Sequence, residues 1–138
     1  MNSTTEIDKL LFILIDDDIL SNVLLTKLIE KVFNNVEVVV INNFTDSISV
    51  IEKDEKTIDL IFLDINLGND NGWQLLDKIN ELYSKKDKEL PKVIMLSNSV
   101  FEGDKLRAKK YSNIIQFISK PMLVNELKLI LNTYFSAP

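Results

Sequence analysis

Short apolar runs and stretches of helical periodicity alternate five times along this 138-residue chain, which leaves few folds open to it. The apolar runs lie at 10–15, 36–41, 58–63, 93–96 and 114–118. Consecutive apolar residues are expected in strands of a parallel sheet that helices cover on both faces. Helical spacing of apolar residues follows each run, more weakly at 45–53 and 102–111. The pattern predicts a doubly wound α/β fold, with five parallel strands and five helices.

The predicted elements occupy nearly the whole sequence. A chain of 138 residues has the usual length of one domain. We predict a polar N-terminal extension at 1–9, one α/β domain at 10–135 and a C-terminal tail at 136–138. No output domain is expected beside the α/β unit, so the function should reside in that unit.

The composition disfavours several classes of protein. The chain has no cysteine, no histidine and only three glycines, which argues against a disulfide framework, a Ser-His-Asp triad and a Gly-rich nucleotide loop. The formal charge of −5 disfavours direct contact with nucleic acid or an anionic membrane. The N-terminal residues lack a basic segment and no apolar run is long enough to span a bilayer. We therefore expect a cytoplasmic protein.

Polar residues stand directly after four of the predicted strands. Asp16, Asp17 and Asp18 follow the first strand, Asp64 the third, Ser97 the fourth and Lys120 the fifth. Ligands of open α/β sheets bind at the carboxyl ends of the strands, so these side chains are expected to converge. Clustered carboxylates repel one another unless a cation intervenes, and oxygen ligands alone suit Mg²⁺, with Mn²⁺ possible. A divalent cation beside an amine is suited to handling a phosphoryl group.

These segments resemble the motifs of bacterial two-component response-regulator receiver domains, most closely the single-domain chemotaxis type. The matching segments are 13–18, 59–67, 70–73, 94–97 and 116–121, which follow the family's order and spacing. The resemblance implies a flavodoxin-like sheet with strand order 2-1-3-4-5. It also implies a signalling protein that catalyses its own phosphorylation and dephosphorylation, without further enzymatic activity.

Each motif residue has a role that the resemblance implies. Asp64 would accept a phosphoryl group from a sensor histidine kinase or a histidine phosphotransfer protein. Asp16, Asp17, Asp64 and the backbone carbonyl of Asn66 would bind Mg²⁺. The remaining motif residues would serve the phosphoryl group or the response to it.

Ser97 and Lys120 would contact the phosphoryl oxygens, and Phe117 would turn inward behind Ser97 when the site is occupied. This switch would alter the face formed by the fourth helix, the fifth strand and the fifth helix, where a downstream protein would bind. The resemblance also implies a cis peptide bond between Lys120 and Pro121. Gly68 stands where the family often has proline, which is expected to loosen the loop after the acceptor.

Three other interpretations stay open. A phosphatase of the haloacid dehalogenase type needs a second carboxylate two residues after its nucleophile, where this chain has Asn66. A flavodoxin-like flavin carrier would meet repulsion between its cofactor phosphate and Asp16, Asp17 and Asp18. A pseudo-receiver would keep the fold as a protein-binding module without being phosphorylated.

Overall fold

Five parallel strands form the central sheet of the computed structural model, which describes residues 9–53, 55–99 and 101–135. The strands are β1 (Leu10–Ile15), β2 (Val36–Ile41), β3 (Leu60–Asp64), β4 (Lys92–Ser97) and β5 (Ile114–Ser119). The helices are α1 (Ile19–Val32), α2 (Phe44–Lys53), α3 (Gly72–Lys85), α4 (Glu102–Ala108) and α5 (Val124–Phe135). The strand order is 2-1-3-4-5 and every neighbouring pair is parallel. The α/β fold predicted from the sequence is thereby confirmed.

Two apolar cores lie on opposite faces of the sheet. One core joins the strand residues Ile13, Leu63 and Met95 to buried residues of α2, α3 and α4. The other joins Phe12 and Phe62 to buried residues of α1 and α5. Because side chains alternate between the faces of a strand, covering both faces requires apolar residues at consecutive positions. This explains the apolar runs that the sequence shows.

A short antiparallel hairpin follows the central strand β3. It pairs Asn66–Leu67 with Asp70–Asn71, and Gly68 in its turn has a φ of 61°. Left-handed backbone of this kind is readily adopted by glycine and rarely by other residues. Gly68 therefore has a conformational role in a paired turn, which the sequence pattern did not predict.

The bounds of two elements differ from the sequence-based expectation. β3 begins at Leu60 rather than at 58, because Asp59 turns its carboxylate to accept a hydrogen bond from the Leu11 backbone at 2.8 Å. α4 ends at Ala108, three residues earlier than expected. Residues 1–8 and 136–138 lie outside the described part of the chain, so the proposed extension and tail stay predictions. No helix among the described residues has the length and apolar character needed to cross a membrane.

Candidate functional site

The carboxyl ends of the strands bring three carboxylates and one amine together. Asp16 follows β1, Asp64 is the last residue of β3, and Lys120 follows β5. The Lys120 ammonium donates hydrogen bonds to Asp16 and to Asp64, with 2.9 Å between its Nζ and Oδ2 of Asp64. Carboxylate oxygens of Asp16, Asp17 and Asp64 lie within 4.8 Å of one another. Residues far apart in the sequence thus meet at the edge where the strand pattern predicted them.

Burial of this cluster is uneven. Asp64 and Asp16 are only 2% and 4% exposed, whereas Asp17 faces solvent. One ammonium among three carboxylates leaves an excess of negative charge, which is costly to desolvate. The site is therefore buried at Asp16 and Asp64 and open to solvent at Asp17, and a further cation would offset its excess negative charge.

The protonation behaviour of Asp64 reflects this environment. Burial raises the pKa of Asp64 to about 6, and the nearby Asp16 carboxylate adds to the rise. Hydrogen bonds from Lys120 and from the backbone amide of Asn66 oppose the rise. Burial alone would lower the pKa of Lys120, but its bonds to Asp16 and Asp64 outweigh this and raise it overall. Lys120 is therefore a permanent cation at neutral pH.

The acidic turn after β1 divides its residues between two tasks. Asp18 caps α1, accepting hydrogen bonds from the backbone of Leu20 at 2.9 Å and of Ser21 at 3.2 Å. Asp16 instead points into the site, where one of its oxygens accepts from the Asp18 backbone amide at 2.9 Å. The buried Asn22 side chain donates to the Asp16 carbonyl at 2.8 Å. Asp18 therefore caps α1, whereas Asp16 belongs to the site.

Asn22 is a supporting residue that the sequence analysis missed. It lies in α1, is 6% exposed and holds the backbone from which Asp16 projects. A polar residue within the apolar pattern of a helix was the available signal, because a buried amide requires a hydrogen-bond partner.

Close backbone contact fixes Asp64 relative to α3. The Asn66 amide donates to Oδ1 of Asp64 at 3.1 Å, and the Gly72 amide donates to the carbonyl of Ile65. A Cβ added at Gly72 would overlap the carbonyl oxygen of Asp64 and lie 3.0 Å from the Ile65 Cα. Gly72 therefore lets the start of α3 lie directly against the backbone of Asp64 and Ile65.

Ser97 and Phe117, the residues of the expected switch, lie on adjacent strands. The register places Ser97 opposite Ser119 and Phe117 opposite Met95. Phe117 is half-buried and packs against the core shared with α3 and α4. The Ser97 hydroxyl donates to the carbonyl of Ser99 and accepts from its amide at 3.2 Å. Donation from Ser97 to a phosphoryl oxygen would require the bond from its hydroxyl to the Ser99 carbonyl to break, since a hydroxyl has one proton to donate.

An apolar surface adjoins the site on the side of α1. A cavity of 250 Å³ beside Lys120 is lined mainly by leucines of α1 together with Leu96 and Met122. Four apolar residues of α1 are largely exposed nearby, namely Ile19, Leu20, Val23 and Leu24. An apolar patch of this kind next to a polar site is characteristic of a surface that meets another protein.

The donor set fits a hard divalent cation. Every donor is an oxygen, two of the carboxylates are buried, and Asp17 accepts no hydrogen bond from any described residue. Mg²⁺ binds through a few carboxylates while keeping several water molecules, so the open side of the site leaves room for those waters.

The Lys120–Pro121 peptide bond is cis, as the resemblance implied.

Comparison with known proteins agrees with the fold. The family model of the response regulator receiver domain matches residues 12–132. The chain therefore belongs to the response regulator receiver domain family. This membership sets aside the phosphatase and flavin-carrier interpretations.

Individual relatives share the fold over most of the chain. A two-component response regulator from Cytophaga hutchinsonii has a TM-score of 0.81 at 24% identity, with 95% of this chain and 100% of that one covered. The receiver domain of a sensor histidine kinase from Pseudomonas aeruginosa PAO1, which holds magnesium in its active site cleft, has a TM-score of 0.71 at 16% identity, covering 94% and 99%. Histidine protein kinase 1 of Candida albicans is 34% identical over 84 residues, or 59% of this chain, but the match spans only 3% of that kinase.

Proposed function

We propose that this chain is a phospho-accepting receiver of a two-component phosphorelay, with Asp64 as the acceptor. The observation that carries the proposal is the buried Asp64 carboxylate at the end of β3, flanked by two further carboxylates and bonded to Lys120. The phosphoryl donor is a phosphohistidine of a sensor histidine kinase or of a histidine phosphotransfer protein.

Transfer of the phosphoryl group from the donor histidine to Asp64 needs no third reactant. An Asp64 carboxylate oxygen attacks the phosphorus, the bond between phosphorus and the donor histidine nitrogen breaks, and that nitrogen keeps the electron pair. Lys120, bonded to Asp64 at 2.9 Å, is placed to neutralise the phosphoryl oxygens, and Ser97 is the proposed hydroxyl donor. Attack of water on the phosphorus later releases inorganic phosphate and restores Asp64.

A bound Mg²⁺ would neutralise the charge of the transferred group and of the carboxylate cluster. Asp16, Asp17, Asp64 and the Asn66 carbonyl are the proposed ligands, with Mn²⁺ as a substitute. Asn22 and the Asp18 amide hold Asp16 in place for this purpose.

The proposed partners contact two different surfaces. The donor protein docks against the exposed apolar residues of α1, because these adjoin the site at which the group is transferred. The downstream target binds the face formed by α4, β5 and α5, which contains Phe117. Movement of Ser97 toward the phosphoryl group frees space for the Phe117 ring and biases that face between two arrangements.

Intact-mass measurement after incubation with acetyl phosphate and Mg²⁺ tests the proposed acceptor. We expect one added phosphoryl group on the wild-type chain, lost on treatment with hydroxylamine, and none on Asp64→Asn. Asp70→Asn is the matched control, because Asp70 is an exposed carboxylate six residues away. A mass gain that persists in Asp64→Asn rules out Asp64 as the acceptor.

A pseudo-receiver is the second candidate function. The observation that favours it is the internal closure of the site, in which Lys120 bonds both buried carboxylates and Ser97 bonds the Ser99 backbone. A protein that gains no mass with acetyl phosphate or with a phosphorylated kinase, yet still binds partners, would be of this kind.

A further inference from the structure

The two edge strands of the sheet differ in how they are guarded against pairing with another chain. An edge strand presents a row of unpaired backbone groups, and native proteins commonly protect that row with lysine, proline or a bulge. The edge strand β5 has an irregularity of this kind, because its register with β4 shifts between Val93 and Ile94. β2 pairs with β1 without any shift and contains neither lysine nor proline. β2 is therefore the unguarded edge.

The side chains of β2 are apolar and incompletely covered by the domain. Five of its six residues are valine or isoleucine, which favour extended backbone. Only Ile41 is buried, and Val40 is 46% exposed. The one charged residue, Glu37, is paired with Lys56 at 2.9 Å. Neither a net charge nor a covering element thus keeps another strand away from β2.

Hydrogen bonds to β1 determine which backbone groups of β2 stay free. The Leu10 amide donates to the Asn35 carbonyl at one end of the pairing, and the Asp16 amide donates to the Ile41 carbonyl at the other. Successive residues of a strand direct their backbone groups to opposite sides, so the odd-numbered residues of β2 face β1. The even-numbered residues face away from the sheet, and no described residue bonds to their backbone. These residues are Val36, Val38 and Val40.

A shallow groove lies beside this edge, on the face of the sheet that α2 covers. Residues 39–41 of β2 form one wall, and Ser49, Val50 and Lys53 of α2 form the other. Lys53 forms no ion pair with any residue that the structure describes. An added strand would therefore find room for its side chains in this groove, together with an available ammonium group.

We propose that β2 binds β2 of a second copy of the chain as an antiparallel strand, about a two-fold axis at Val38. Val38 then lies opposite Val38 of the second copy, and Val36 opposite Val40. Every free amide and carbonyl of the three valines is bonded in this arrangement, which joins two five-stranded sheets into one. The pairing uses β2 alone and is independent of the proposed phosphorylation of Asp64.

Charge selects this register among the possible ones. An axis at Glu37 would place that carboxylate directly opposite its own copy, which is destabilising. An axis at Val39 would leave Val36 opposite residue 42, beyond the end of β2. The axis at Val38 instead places Glu37 opposite Val39 of the second copy, whose groove contains Lys53. Each Glu37 is thereby directed toward the unpaired Lys53 of the other molecule.

Two other occupants fit this edge less well. Strand β5 of another copy would form an open chain of molecules, and its irregular register opposes regular pairing. A strand of an unrelated protein could bond the same backbone groups, but it would not necessarily supply a lysine to Glu37 and a carboxylate to Lys53. The self-complementary charges therefore favour a second copy of this chain.

Sedimentation equilibrium of the full chain over a range of concentrations tests for the dimer. We expect a monomer–dimer equilibrium, and a chain that stays monomeric up to about 1 mM overturns the proposal. Val40→Lys should weaken dimerisation roughly 3-fold to 30-fold, because it removes one apolar cross-strand pair on each side of the axis. Leu129→Lys, an equally exposed apolar position on α5, is the matched control and should change it less than about 2-fold. Equal effects of the two variants overturn the proposal, and thermal melts check that both fold.

Disulfide formation tests the position of the axis. The chain has no cysteine, so a single introduced cysteine reports on one contact. Val38→Cys should form a disulfide-linked dimer, because Cα atoms of directly opposed residues lie about 5.5 Å apart. Val40→Cys should not, since the two copies of residue 40 would be separated by about 13 Å along the strands. Val40 is the more exposed of the two, so faster linkage of Val40→Cys would indicate random collision and overturn the proposal.

Amide hydrogen exchange distinguishes strand pairing from any other kind of dimer. With rising protein concentration, exchange should slow at the amides of Val36, Val38 and Val40, which become bonded only in the dimer. The amides of the odd-numbered residues of β2 should show little change, because β1 already bonds them. A dimer without this alternation along β2 overturns the proposal.

Discussion

Asp64 meets two opposing requirements at the level of the single residue. As the proposed acceptor, the carboxylate must be ionised to attack phosphorus, but its burial favours the protonated form and raises its pKa to about 6. Lys120 and the Asn66 amide reduce this penalty without removing it. A further cation would complete the neutralisation, which links protonation, metal binding and reactivity in one group.

Titration of the Asp64 side-chain carbon by NMR tests this link. In the presence of a chelator we expect a pKa near 6 for Asp64, and a lower value when Mg²⁺ is added, because the cation favours the carboxylate. Phosphorylation by acetyl phosphate should accordingly fall as the pH drops below the Mg²⁺-bound value. Asp64→Asn identifies the resonance. A pKa near 4 in chelator would contradict the expected burial penalty.

Replacing Asp64 by asparagine should stabilise the protein at neutral pH. Because folding raises the pKa of Asp64, the folded protein is favoured while this carboxyl is protonated, below about pH 4. That advantage is lost as the pH rises through about 6, where the buried carboxyl ionises. Asn cannot ionise, so Asp64→Asn avoids this loss of stability. The free energy of unfolding measured with urea at pH 7 should therefore rise by at most about 3 kcal/mol, and the rise should shrink toward pH 4. Asp70→Asn, in the exposed hairpin, should change little. A destabilised Asp64→Asn variant at pH 7 would contradict this account.

Sequence alone predicted that four side chains converge, because they stand at strand ends and parallel strands bring such ends together. These are Asp16, Asp17, Asp64 and Lys120. It did not reveal the hydrogen bond from Asn22 to Asp16 or the one between Ser97 and Ser99. Those contacts depend on side-chain rotamers and on the path of short loops, which periodicity does not encode.

At the level of the element, the glycines of α3 and α4 differ in how closely the rest of the domain approaches them. Gly72 begins α3 where an added Cβ would overlap the backbone of Asp64, whereas Gly103 in α4 faces open space. α3 is consequently fixed against the Asp64 backbone. α4 buries a single residue and is attached through contacts from Arg107 and Asp104 to Trp73.

Alanine at the two glycines should therefore have effects of opposite sign. Gly103→Ala should raise the free energy of unfolding by roughly 0.5–1 kcal/mol, because alanine favours the helix. Gly72→Ala should lower it by roughly 1–3 kcal/mol and slow phosphorylation, since the acceptor backbone must shift. Chemical denaturation and acetyl phosphate labelling measure both effects. A neutral Gly72→Ala would show that the α3 start can move away at no cost.

The sequence predicted which segments are helices and which are strands, but it did not predict some of the residues at which they begin or end. The apolar runs located all five strands to within two residues because burial on both faces leaves little freedom of composition. The hairpin after β3 escaped notice since it consists of two paired dipeptides, too short for any period to show. The early end of α4 also went unpredicted, because few of its residues contact the core that sets helical periodicity.

At the level of the whole molecule, the proposed switch connects the site to α4 and β5 through Ser97 and Phe117. The two residues lie on neighbouring strands, and Phe117 shares a core with Ala108 of α4. A ring that moves within this core changes the support of a helix with few other attachments. Such coupling is typically worth about 1–3 kcal/mol.

Amide chemical shifts recorded with Mg²⁺ and beryllium fluoride test the switch. We expect changes to extend from Asp64 through Ser97 to α4 and β5. Phe117→Ala should suppress the changes in α4 while leaving those at Asp64, because the ring transmits the movement but does not bind the ligand. Phe135→Ala, in the opposite core, is the matched control. Shifts confined to the ligand contacts would contradict the switch.

The hydrogen bond between Lys120 and Asp16 joins residues 104 positions apart in the chain. Closing so long a loop is entropically costly and occurs late unless other contacts precede it. The proposed acceptor site is therefore complete only when the first and last strands of the domain have both entered the sheet. If Asp64 is the acceptor, a chain still on the ribosome with β5 unreleased would lack the Lys120 contact to Asp64, so phosphorylation would be confined to chains in which the sheet has formed.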